Sequence, residues 1–192
     1  PGDNSGHVRV YEYSGSSWSQ VGNDIDGEAD GDRSGYGLGV AIDSDGSHVV
    51  IGAMLNDGTG TDAGHVRVYE RDASNTTIAP FGWSQLGSDI DGEAAGDQSG
   101  ISVSMNSAGD RVAIGANLNN GTDSNAGHVR IYEYSSNSWT KLGSDIDGEA
   151  SSDYSGYSVS MNSAGDRVAI GAINNDGTTG SNRGHVRIYE YS

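Results

Sequence analysis

The stretch GHVRIYEYS (residues 127–135) decides the fold, because close copies of it recur along the chain. The copies begin at Gly6, Gly64, Gly127 and Gly184, which are 58, 63 and 57 residues apart. Within each copy the side chains alternate between two sides and are rich in β-branched and aromatic types, which is typical of a β-strand. A regular period of this size indicates a repeat architecture.

The third copy predicts four short strands. After the strand at 127–135, SWTKLGSDI (138–146), YSVSMN (157–162) and RVAIGA (167–172) follow, joined by turns and loops rich in Gly, Asn, Asp and Ser. Helical spacing with caps is absent. Four strands per unit are typical of a β-propeller blade, with a solenoid and a sandwich as alternatives. We therefore expect an all-β fold of β-propeller-type repeats, with about 60 residues and four antiparallel strands per blade.

The predicted units are two complete blades flanked by partial ones. They are 1–34 (outer strands of a blade), 35–99, 100–155, and 156–192 (inner strands of a blade). The second copy carries an insertion, RDASNTTIAPFGW (71–83), expected to form a longer exposed hairpin loop. Ordinary propellers close with about 4–8 blades, so we expect either two chains to combine into a ring or further blades to complete these ends.

Composition excludes several classes of function. The net charge is −17, so a nucleic acid or an anionic membrane surface is not an expected partner. The absence of Cys excludes disulfides, thiolate metal sites and a Cys nucleophile. The sequence has no apolar run long enough for a membrane span.

SGYSVSMNSAGDRVAIGA (155–172) resembles the FG-GAP repeat of the integrin α-subunit-type β-propeller, as a divergent branch. Ser-Gly stands in place of the Phe-Gly pair, and Gly-Ala-X in place of Gly-Ala-Pro. The matching positions are Ser34-Gly35 with Gly52-Ala53-Met54, Ser99-Gly100 with Gly115-Ala116-Asn117, and Ser155-Gly156 with Gly171-Ala172-Ile173.

The resemblance implies a strand order and a class of function. YSVSMN is expected innermost, RVAIGA second, GHVR third and the Trp strand outermost. It also implies an extracellular, non-catalytic scaffold for adhesion, protein–protein interaction or surface and filament assembly. A multivalent glycan-binding module is the alternative. The family's Ca²⁺ lies in an Asp-rich hairpin between the two inner strands, where Asp43 and Asp45 match, whereas the later copies read MNSAGD.

An acidic loop recurs as DIDGEADGD, DIDGEAAGD and DIDGEASSD. Hard oxygen ligands beside a Gly turn suit Ca²⁺. Alternatively, Asp and Gly build the turn and the carboxylates cap backbone N–H groups. The candidate metal ligands are Asp24, Asp26, Glu28, Asp89, Asp91, Glu93, Asp145, Asp147 and Glu149.

Other recurring residues have a structural and a functional interpretation. The GHVR histidines are expected to be packed or hydrogen-bonded strand residues, because equivalent positions on separate blades lie far apart. The GHVR arginines are expected to pair with nearby carboxylates. Trp18, Trp83 and Trp139 either stack on sugars or pack between blades.

Two further patterns bear on function. Asn75 and Asn120 begin Asn-X-Thr sequences that fit an N-glycosylation acceptor. No G-x-S-x-G elbow or nameable triad is present, and identical repetition of the carboxylates disfavours one distinct catalytic site. We therefore expect no enzymatic activity.

Overall fold

The structure is a computed structural model that describes residues 3–177 and 181–191. Residues 1 and 2 of the predicted unit 1–34, and residues 178–180 and 192 of the unit 156–192, lie outside the described residues. The described chain consists of strands, turns and loops, and all its sheets are antiparallel. The prediction of an all-β fold is confirmed.

The strands fall into four successive sets, which we call repeats 1 to 4. Repeat 1 holds β1 (His7–Val8), β2 (Tyr11–Tyr13), β3 (Trp18–Gln20) and β4 (Ile25–Asp26). Repeat 2 holds β5 (Val40–Ile42), β6 (His48–Ala53), β7 (His65–Arg71), β8 (Trp83–Gln85) and β9 (Ile90–Asp91). Repeat 3 holds β10 (Ser102–Met105), β11 (Arg111–Ala116), β12 (His128–Ser135), β13 (Ser138–Lys141) and β14 (Ile146–Asp147). Repeat 4 holds β15 (Ser155–Met161), β16 (Arg167–Ala172) and β17 (His185–Glu190).

Repeats 2 and 3 have the same sheet topology. In repeat 2 the order is β5-β6-β7-β8, and the short β9 pairs with the start of β7. The register between β6 and β7 runs from His48 opposite Glu70 to Ala53 opposite His65. This is the order that the FG-GAP resemblance implies, with the GHVR strand third and the Trp strand fourth. Repeat 4 shows the first three strands, in the order β15-β16-β17.

The single strand predicted at 138–146 is wrong. The chain forms β13, leaves the strand at Leu142–Ser144, and returns as β14, and both strands pair with β12. Gly143 adopts a φ of 78° between them, a backbone conformation that favours glycine. The break places the acidic loop beside the start of the GHVR strand.

The hydrophobic core lies between the repeats. Each of three buried clusters joins one repeat to the next. Repeats 1 and 2 share Val8, Val10, Ile25, Val49, Ile51, Tyr69 and Trp83; repeats 2 and 3 share Val50, Val66, Val68, Ile90, Val103, Met105, Val112 and Ile114; repeats 3 and 4 share Ala113, Val129, Val168 and Ile170. A sheet therefore buries its apolar face against its neighbour, and we call each such contact a junction.

Backbones also approach closely at the junctions. Gly64, with a φ of 74°, forms a parallel bridge with Ser99 of the next repeat. A Cβ atom at Gly64 would collide with the backbone oxygen of Ser99. This explains why Gly precedes each His-Val-Arg.

The insertion in repeat 2 is only partly the exposed loop that the sequence predicts. Ile78 is exposed, but the backbone N–H of Asn23 in repeat 1 donates to the Phe81 oxygen at 2.8 Å. Gly22 and Gly82 meet there, because neither has a side chain to hold the backbones apart. The loop therefore extends the first junction.

Candidate functional site at the repeat junctions

The acidic loops lie at the junctions, where each contacts the GHVR strand of the following repeat. The Nη2 of Arg67 donates to the backbone oxygen of Asp26 at 2.9 Å, and its Nη1 lies 3.3 Å from a Glu28 carboxylate oxygen. The same contacts join Arg130 to Asp91 and Glu93, and Arg187 to Asp147 and Glu149. The predicted pairing of these arginines with loop carboxylates is confirmed.

The GHVR histidine of one repeat lies between carboxylates of two repeats. His65 is 2% exposed, and its Nδ1 is 3.8 Å from Glu28 of repeat 1 and 3.8 Å from Asp89 of repeat 2. These distances exceed a hydrogen bond. Burial and the neighbouring charge of Arg67 lower the pKa of His65, despite the carboxylates. The imidazole is therefore neutral at neutral pH, the form that can coordinate a metal ion.

This arrangement was not predicted from the sequence. The histidines of different repeats are indeed separate, as expected, but His65, His128 and His185 each meet the Glu of the preceding repeat. Glu28 and His65 are far apart in the sequence, so only the stacking of repeats reveals the contact.

Neighbouring side chains hold each carboxylate by one oxygen. Oε1 of Glu28 faces Arg67, and Oδ1 of Asp89 accepts a hydrogen bond from Gln85 Nε2 at 2.6 Å. The other oxygen of each carboxylate faces His65. Two fixed carboxylate oxygens and one imidazole nitrogen therefore converge.

A cavity of about 310 Å³ opens beside His65. Ten residues line it, and six of them carry carboxylates. These are Glu28, Asp30, Asp32, Asp57, Asp89 and Asp91. Such a concentration of negative charge around a buried, neutral ligand favours a cation.

The second junction has a weaker version of the site. Glu93, His128 and Asp145 converge there, and burial and the charge of Arg130 lower the pKa of His128. However, Lys141 occupies the place of Gln85 and donates to Asp145 at 2.8 Å. Its ammonium group opposes cation binding.

Sequence differences remove two further carboxylates at the second junction. Ala95 stands at the position of Asp30, and Asn120 stands at the position of Asp57.

A third convergent group, His7, Asp24 and Asp26, belongs to repeat 1 alone. Asp24 binds the Arg9 guanidinium through both oxygens and also accepts from Gln20. These hydrogen bonds, that of Arg9 first, lower the pKa of Asp24 to about 2.

The Asp four residues after each Glu has a structural role. Asp32 is buried, accepts from the Ala29 N–H at 3.0 Å, and accepts from the Asn56 side chain of repeat 2 at 3.1 Å. The equivalent pairs are Asp97 with Asn119 and Asp153 with Asn175. At this position the carboxylate caps a backbone N–H group, which is the structural alternative that the sequence offered. The paired Asn residues were not predicted from the sequence, because their Asp partners lie in another repeat.

The hairpin that resembles the family's Ca²⁺ site forms internal contacts. Oδ2 of Asp43 bonds to His48 Nδ1 at 2.7 Å and accepts from Ser47 Oγ at 2.9 Å, while Asp45 accepts from the Ser47 N–H. Burial raises the pKa of Asp43, but the His48 and Ser47 hydrogen bonds outweigh it and lower the pKa. Ser47 and Asp43 both approach the same nitrogen of His48, unlike a hydrolase triad, in which they take opposite nitrogens.

The three tryptophans have different surroundings. Trp83 is fully buried and donates from Nε1 to the Val21 oxygen at 3.0 Å, and Trp139 donates in the same way to Leu86 at 2.7 Å. Both therefore pack between repeats. Trp18 is 68% exposed and lies against Tyr13, with ring centroids 5.3 Å apart. Trp18 alone of the three is largely open to a ligand.

The two Asn-X-Thr sequences also differ. Nδ2 of Asn75 donates to the Trp83 oxygen at 2.6 Å, so a glycan on this atom would displace a hydrogen bond of the insertion loop. Asn120 is exposed, and its Oδ1 accepts from the Asn125 N–H.

No helix among the described residues has the length and apolar character needed to cross a bilayer. No protein-family model matches the chain, and no curated protein matches it.

Proposed function

We propose that the chain is a non-catalytic β-propeller-type scaffold, with its sheets as blades, that assembles repeat on repeat. It would act outside the cell in adhesion, protein–protein interaction or surface assembly, as the FG-GAP resemblance implies. The arrangement of the sheets supports this: β5 and β10, the first strands of successive sheets, meet through a bridge between Leu38 and Ser102.

Repetition of the polar contacts supports a structural role for them. The Arg–carboxylate and Asp–Asn contacts recur at every junction among the described residues. Side chains that hold one repeat on the next leave few groups free to form a distinct catalytic centre.

Two exposed apolar surfaces carry the proposal. In repeat 4, Val186 and Ile188 are 67% and 73% exposed. Their counterparts in repeat 2, Val66 and Val68, are buried against Val103 and Met105 of repeat 3.

The opposite surface lies on β5 of repeat 2. Val40 and Ile42, the counterparts of Val103 and Met105, are also exposed. In repeat 1, Val8 and Val10 stand at the positions of Val66 and Val68 and already pack against Val49 and Ile51 of repeat 2. What repeat 2 lacks is therefore a neighbour for the exposed face of β5, its first strand, while repeat 4 lacks a neighbour for β17. The occupant we propose is a second copy, joined head to tail, which gives a ring if the rotation closes and a filament if it does not.

Sedimentation equilibrium tests this assembly. We expect the chain to associate over about 1–100 µM, as for a small interface. Ile188→Asp should abolish association because it places a charge in the contact. Ile78→Asp, on the exposed insertion loop, is the matched control and should associate normally. Micrographs would distinguish rings from filaments, whereas a monomer at the highest concentration would refute the assembly.

Glycan binding is a second candidate, favoured by the exposed Tyr13–Trp18 pair. Amphipathic aromatic rings that stand in solvent suit the apolar face of a sugar. A glycan array decides: retention that Trp18→Ala abolishes and Trp139→Phe preserves would establish a lectin. If the array retains no sugar, protein–protein interaction remains the proposed function.

A further inference from the structure

We propose that the first junction is a binding site for one divalent transition-metal ion of the Zn²⁺ type, coordinated by His65 Nδ1, Glu28 and Asp89. The ion would join repeat 1 to repeat 2. This site is distinct from the hairpin at Asp43, and it is independent of the proposed function.

The His65 side chain is 2% exposed and, among the described residues, lacks a hydrogen-bond partner at Nδ1, the nitrogen that faces the carboxylates. Nδ1 is 3.8 Å from Glu28 and 3.8 Å from Asp89, beyond hydrogen-bonding distance. An ion at Nδ1 would give that nitrogen a partner and would hold both carboxylates.

The three ligand atoms lie close enough together for one zinc ion. Zn²⁺ binds His nitrogen and carboxylate oxygen at about 2.0–2.2 Å, which places tetrahedral ligands about 3.4 Å apart. The Nδ1 of His65 is 3.8 Å from each carboxylate oxygen, and all three ligand atoms lie within 4.8 Å of one another. The shell would close if each His–carboxylate pair approached by about 0.4 Å and the two carboxylate oxygens by at most about 1.4 Å.

The ligand types select the kind of ion, and the exposed carboxylates give it access. An imidazole nitrogen is a poor ligand for Ca²⁺, which takes oxygen, but it suits first-row transition metals. Glu28 and Asp89 are 45% and 33% exposed, so the ion can enter from solvent through the acidic cavity. Water would complete the shell.

The second junction provides an internal control. It has the same His and carboxylates, but it lacks two of the surrounding acids and carries Lys141 beside Asp145. Zn²⁺ should therefore prefer the first junction.

Calorimetric titration of the chelator-treated 192-residue chain with Zn²⁺ tests the proposal. We expect one tight equivalent, weakened at least about tenfold by Asp89→Asn and by Glu28→Gln, while Asp145→Asn changes it by less than about twofold. Glu28→Gln guards against a folding defect in Asp89→Asn, and melting of each apo variant checks this.

A ¹⁵N spectrum of the histidine rings adds a structural readout: Zn²⁺ should shift Nδ1 of His65 and leave His128 unchanged. Absence of binding, equal loss in the Asp145 variant, or displacement of Zn²⁺ by a modest excess of Ca²⁺ would overturn the assignment.

Discussion

Arg130→Met should weaken the junction between repeats 2 and 3, because this arginine makes several contacts with repeat 2 and within its own repeat. Its side chain is 6% exposed, donates to the Asp91 oxygen at 2.9 Å, and lies 3.3 Å from Glu93. Its guanidinium also lies 5.6 Å from the centre of the Tyr132 ring. Met preserves most of the buried stem but none of these polar contacts.

The magnitude follows from the burial of each contact. A hydrogen bond from a charged donor contributes about 1.5–3 kcal/mol, and a cation–π contact contributes about 0.5–1 kcal/mol. The Glu93 pair adds little, because the Glu93 side chain is 43% exposed and water replaces the arginine. The expected loss in the free energy of unfolding is about 2–4 kcal/mol.

Urea unfolding, followed by tryptophan fluorescence, measures this loss. Arg9→Met is the matched control: Arg9 holds the same position in repeat 1 but pairs with Asp24 of its own repeat, and it is 45% exposed. The control should therefore fall well short of Arg130→Met. Equal losses in the two variants would show that ion pairing alone, and not contact between repeats, determines how much each arginine contributes to the free energy of unfolding.

Three further predictions concern backbone space, tryptophan and pH. Gly64→Ala should lower the free energy of unfolding by well over 1 kcal/mol, because a positive φ and a backbone collision combine there. Gly96→Ala is the control: Gly96 has a positive φ in open space, so its loss should be only about 1 kcal/mol. Equal melting temperatures of the two variants would contradict this. Trp83→Phe should lose about 1–2 kcal/mol with its buried hydrogen bond, measured by urea unfolding. Burial lowers the pKa of His65 and His128 in the folded chain. The unfolded chain therefore binds more protons than the folded chain as the pH falls below about 6.5. The melting temperature should drop between about pH 7.5 and about 5 for this reason. His128→Gln should reduce the slope of melting temperature against pH. An unchanged slope would show that His128 does not cause the drop.

Local sequence patterns predict the strands well because each strand carries its own signal. GHVRIYEYS alternates cleanly, and β12 occupies nearly all of it. The same reasoning fails at 138–146, where Gly143 bends the chain although the flanking residues resemble one strand.

The surroundings of a residue are harder to predict, because they depend on the preceding repeat. Trp18 and Trp83 share the local sequence Trp-Ser-Gln, yet one is exposed and the other is buried. Likewise, nothing near His65 in the sequence indicates Glu28. Pairwise contacts between repeats are invisible until the repeats are stacked.

The close approach of Gly52 and Gly100 limits how the chain can diverge. A Cβ atom at Gly52 would collide with the Gly100 backbone oxygen in the next repeat, and Gly115 meets Gly156 in the same way. No single compensating change can make room, because the obstacle is main chain rather than a replaceable side chain. A repeat moved from another chain into this one should therefore keep glycine at both of these positions to stack on its neighbours.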